Sequence, residues 1–172
     1  MPESGPRIAG VRLAVRDASL RTPYVLSFVT LASFRARLVA VDLDDGRRGL
    51  GEVVALPGYG AETDAAVAEA HAALAARLPG LAVDAARASV VAAAEAAPFA
   101  ASAVLAALDV ATGRLAMPPR IDQPLVGGIE TAEPAVMLEA MRRHHDAGVR
   151  TIKVKFGRDP EADRRAVAPL LD

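Results

Sequence analysis

The hydrophobic pattern of this chain changes once, at Pro118-Pro119, and the change limits the folds open to it. Ahead of the two prolines come three strand-like runs followed by three helix-like runs, the order of an α+β layer in which helices cover one antiparallel sheet. After them the order is strand, helix, strand, helix, the alternation of parallel βα units. The spacing predicts two domains, residues 1–118 and 119–172.

In the first stretch, Ile8 to Val15 and Arg35 to Leu43 read as strands; the second meets the turn Asp44-Asp45-Gly46 and a third strand from Gly49 to Val54. Together they predict a three-stranded antiparallel meander. Thr22 to Phe28, with Pro23 inside it, reads as a long connecting flap. Thr63 and Asp64 open a helix whose Val67, His71, Leu74 and Leu78 share one face, closed by Pro79-Gly80. Asp84 reads as the cap of an Ala-rich second helix ending near Ala97. Pro98 starts a third, apolar on most sides, that runs to Met117. In the second stretch, Gln123 to Gly128 is strand-like. Pro134 to Asp146 is helical with Met137, Met141 and His144 on one side, Gly148 closes it, Thr151 to Phe156 is a strand, and Asp159-Pro160-Glu161 opens a last helix.

At 172 residues and 52% hydrophobic, the sequence is long enough to bury one sizeable core. A net charge of -1 with no Lys/Arg block gives no electrostatic footprint for nucleic acid or an anionic membrane. With 0 Cys there is neither a disulfide framework nor a thiolate metal site. No apolar run reaches membrane-spanning length and the start lacks a secretory pattern, so the expectation is a soluble, cytoplasmic protein whose partners are small molecules or copies of itself.

Lys153-Val154-Lys155 is the candidate site. On a strand the two lysines share one face and Ile152, Val154 and Phe156 the other. In a water-poor pocket, desolvation and mutual repulsion disfavour the charged form, which suits a lysine for proton transfer. On an exposed edge the same spacing discourages aggregation, and the spacing alone leaves both readings open. Adjacent His144 and His145 splay by about 100° on a helix and do not chelate one metal, and His71 reads as a lone helix-face residue. Gly58-Tyr59-Gly60 has Thr63 where a dinucleotide loop needs its third Gly, and Gly127-Gly128 lacks the Lys of a P-loop. No Gly-x-Ser-x-Gly elbow occurs. Glu52 reads as a hydrogen-bond acceptor closing a strand or as a pocket-lining carboxylate.

Taken in order, several segments resemble the enolase superfamily in its muconate-lactonizing, o-succinylbenzoate synthase and dipeptide epimerase branch. They are Gly49-Leu50-Gly51-Glu52, Tyr59-Gly60-Ala61-Glu62-Thr63, Ala107-Leu108-Asp109 within its helix, Pro124-Leu125 with Gly127-Gly128, and Lys153-Val154-Lys155. The resemblance implies an N-terminal α+β capping domain followed by the first two βα units of a modified TIM barrel. It implies a mandelate racemase/muconate lactonizing type of isomerase or lyase, in which a lysine removes the proton beside a carboxylate and a magnesium ion stabilises the resulting enediolate. Carried over, Lys155 is the base or acid, Lys153 its neighbour, and Tyr24, Ser27 and Tyr59 lie in segments that cover a small carboxylate substrate.

An eight-unit barrel takes about 250 residues, so residues 121–172 hold fewer than two units, and the sequence stops within what resembles the second barrel helix. The superfamily's metal ligands lie on later strands, so no metal ligand is assigned here. The expectation is a chain inactive alone, completed by a barrel fragment, or else a non-catalytic capping fragment that self-associates or serves as an interaction module.

Overall fold

A computed structural model describes residues 5–26, 28–56, 58–115, 122–129, 133–155 and 159–168. The chain divides into two compact units, one of Met1–Pro23 with Leu31–Met117, the other of Tyr24–Thr30 with Pro118–Asp172.

The first unit is built on strands β1 (Ile8–Val25), β2 (Thr30–Leu43) and β3 (Arg48–Val54), in the order β1-β2-β3. β2 and β3 are antiparallel, with Leu38 opposite Glu52 and Ala40 opposite Leu50. Alternation sends Val39, Val41 and Leu43 into the core. Three helices cover that face: α1 (Asp64–Arg77), α2 (Val83–Ala93) and α3 (Pro98–Ala111). Their Leu74, Leu78, Ala86, Val90, Val104 and Leu108 complete one buried cluster with Ile8 and the β2 residues. α3 lies unusually close to β3. A Cβ added at Gly49 would overlap the Ala107 carbonyl oxygen and one at Gly51 the Ala103 carbonyl oxygen, so these glycines and alanines together set the spacing.

Several boundaries differ from the sequence expectation. β1 runs on past Val15 through Thr22 and Pro23, so the expected flap is mostly strand, and Leu26 N–H donates to the Val29 carbonyl at 2.8 Å where β1 gives way to β2. Pro23 is tolerated because β1 is an edge strand, where a missing N–H breaks no ladder on its open side. Ala82, not Asp84, stands at the N-cap of α2, and Asp84 lies in the first turn. α3 stops at Ala111: Gly113 adopts φ +73°, and Thr112 Oγ1 donates back to the Leu108 carbonyl at 2.7 Å. Val110 and Leu115, expected in a buried helix, are exposed.

In the second unit β4 (Val126–Ile129) pairs in parallel with β5 (Thr151–Val154), Gly128 opposite Lys153 and Ile129 opposite Val154. Helix α4 (Pro134–Asp146) joins them and α5 (Pro160–Val167) follows, capped by the Asp159 carboxylate on the Glu161 and Ala162 amides. Ile129, Met137 and Ala140 are buried, with Met141, Ile152 and Val154 packed against them. His144 is half-buried; its Nε2–H donates to the Gly128 carbonyl at 3.3 Å, and its ring fills the place a Cβ at Gly127 would take.

Candidate functional site

Ile152 and Val154 are committed to the α4 side of β5, so alternation turns Lys153 and Lys155 to the opposite side. Lys155 follows the last paired residue of β5, at the carboxyl end of the parallel pair. In parallel α/β folds the side chains gathered at that end do the chemistry. Lys153 is exposed, whereas Lys155 is half-buried.

Residues far away in sequence surround Lys155. Its Nζ lies 4.0 Å from the centroid of the Tyr24 ring and donates to the Val25 carbonyl at 3.4 Å. Tyr24 and Val25 are the last residues of β1 and belong to the same unit as β5. The lysine nitrogen thus meets a ring face, where the quadrupole is negative, and a carbonyl oxygen. Of the expected site residues the structure brings Tyr24 to Lys155. Tyr59 belongs to the first unit and is 67% exposed. Ser27 lies outside the described residues.

The remaining motif residues have structural duties. Glu52 is exposed on β3, opposite Leu38 of β2. Asp109 pairs with Arg87 and ties α3 to α2. Glu62 caps α3 from a distance: one carboxylate oxygen accepts the Phe99 amide, and the other is buried with no hydrogen-bond partner among the described residues. Its neighbour Thr63 caps α1 through the Ala66 amide at 3.1 Å. His71, expected as a helix-face residue, is buried; the carbonyl of Ala100 only accepts, so the ring's Nε2 carries the proton that bonds it at 3.1 Å. Burial holds this imidazole below its ordinary value of 6.5.

Among the described residues no three His, Asp or Glu side chains converge to hold a metal ion. The described residues therefore do not form a magnesium site. Among the same residues no helix is long and apolar enough to cross a membrane.

No family model and no curated protein matches the sequence. Solved structures do. A dipeptide epimerase from Methylococcus capsulatus, complexed with Mg and the dipeptide L-Arg-D-Lys, superposes with a TM-score of 0.79 at 26% identity over 95% of this chain and 50% of its own. A Sorangium cellulosum protein of the mandelate racemase/muconate lactonizing type gives 0.73 at 30% identity, over 95% and 50%. The chain has the fold of this branch of the enolase superfamily. A further superfamily member from Roseovarius nubinhibens, complexed with magnesium, matches with a TM-score of 0.78 at 22% identity. The chain spans about half the length of these superfamily structures.

Proposed function

We propose that this chain supplies the capping domain and first two βα units of an enolase-superfamily isomerase or lyase that moves the proton beside the carboxylate of a small acid. Lys155 transfers that proton, and Lys153 is the adjacent cation that helps hold the carboxylate. The observation that carries this reading is the position of Lys155, half-buried at the carboxyl end of a parallel strand on the side away from α4. Its site is completed by strands bearing the magnesium ligands, contributed by other residues or another polypeptide, and the 172 residues alone are inactive. The protein acts in the cytoplasm, and Tyr24, Ser27 and Tyr59 belong to the segments that cover the substrate.

The test is α-proton exchange into deuterated water, followed by NMR, with magnesium and a panel of dipeptides and other small carboxylates. The chain alone should give no exchange. Co-expressed with the later barrel strands of a dipeptide epimerase, it should give exchange that Lys155→Ala abolishes. Exchange that survives Lys155→Ala removes Lys155 from the chemistry, and exchange by the chain alone removes the need for completion.

A second reading, a non-catalytic module that associates through its second unit, is favoured by the exposure of Leu125, Val126 and Val136 there.

A further inference from the structure

The end of β1 does something that the resemblance does not assign. We propose that Tyr24 is a positioning residue for Lys155: its ring and the carbonyl of the next residue, Val25, hold the lysine nitrogen at a fixed place beside β5. The inference rests on the reading of Lys155 as the proton-transfer residue only for its catalytic meaning; the clamp itself stands on geometry.

Three observations converge. The lysine nitrogen lies 4.0 Å from the Tyr24 ring centroid, well inside the ~6 Å over which a ring face attracts a cation. The same nitrogen donates to the Val25 carbonyl at 3.4 Å, so adjacent residues of one strand engage it through a side chain and through the backbone. Tyr24, Val25 and Lys155 are all half-buried, and removal of water strengthens both attractions. Lys153, two residues away, is exposed and provides an internal comparison. A flexible four-carbon stem otherwise leaves an ammonium free to sweep a wide arc; held here, the Lys155 nitrogen stays in place beside β5. Tyr24 and Val25 together therefore set where the Lys155 nitrogen stands.

The experiment labels the purified chain with an amine-acylating reagent, without substrate or metal, and reads the rates at Lys155 and Lys153 by peptide mass spectrometry. Tyr24→Leu should raise the Lys155 rate about two- to fivefold, the range a partly exposed cation–π contact supports, and leave Lys153 unchanged. Tyr24→Phe, which keeps the ring face, should match the parent chain. Fluorinated phenylalanines placed at position 24 separate the ring's charge distribution from its bulk: the Lys155 rate should climb with each added fluorine. A flat fluorine series overturns the proposal, even if Tyr24→Leu fails to fold. Because no turnover is measured, failure of the clamp leaves the α-proton test untouched, and failure of that test leaves the clamp intact.

Discussion

At Gly51 a methyl group would overlap the Ala103 carbonyl oxygen, and Ala103 is held by α3 hydrogen bonds and core neighbours on every side. Gly51→Ala must push helix from strand, and overpacking of this kind costs about 3 kcal/mol; urea denaturation should show it. Gly10→Ala, where the new methyl meets nothing within 4 Å, should be close to neutral. The Gly-x-Gly signal was legible in the sequence, but its meaning was not, since it depends on a helix that begins 47 positions after Gly51, at Pro98. His71 yields a pH effect. Its folded value lies below the ordinary 6.5, so on acidification the unfolded chain takes up a proton that the folded chain refuses. Stability should fall as pH drops below about 6.5. In His71→Gln, whose amide also donates to a carbonyl, urea midpoints between pH 7.5 and 5.5 should lose that part of their slope. Asp64, held below its usual range by the Arg37 guanidinium, contributes stability that is present above pH 3.8 and lost in a separate window as the pH falls below it.

The elements were legible wherever a cap or a period announced them. Thr63, Pro98, Gly148 and Asp159 mark helix ends in the structure as in the sequence. Thr63→Ala should cost about 1 kcal/mol by freeing the Ala66 amide, whereas Thr63→Ser should restore it; the same denaturation measurement separates them. β1 was misjudged beyond Val15 because Arg16, Asp17, Ala18 and Ser19 are all exposed, so no alternation exists to read, and Pro23 looks like a breaker unless the strand is known to be an edge. Tyr24 was named through the family resemblance and not through any strand signal. The lysine spacing left two readings open and the resemblance singled out Lys155, but no local pattern reveals a Val25 carbonyl that meets it across 130 positions.

For the whole molecule the two units differ in what holds each together. Among the described residues the first has a cluster of fourteen buried residues drawn from a three-stranded sheet and three helices. In the second, the buried core cluster of the described residues is Ile129, Met137 and Ala140, against a two-stranded sheet. A two-stranded sheet is marginal by itself, and a unit this small rarely supplies enough apolar burial to fold alone. Leu125, Val126 and Val136 remain 70%, 59% and 51% exposed. Hydrogen exchange should therefore find the β4 and β5 amides opening long before those of β2 and β3, since local stability follows local burial. At micromolar concentration, size-exclusion chromatography with light scattering should give a mass above the 17.8 kDa of one chain. Supplying the later barrel strands in trans should return it to a defined complex and slow exchange in β5 specifically. A monodisperse monomer that binds no apolar dye, with β5 as well protected as β2, would show that the second unit is closed as it stands and needs neither a second copy nor a complementing fragment.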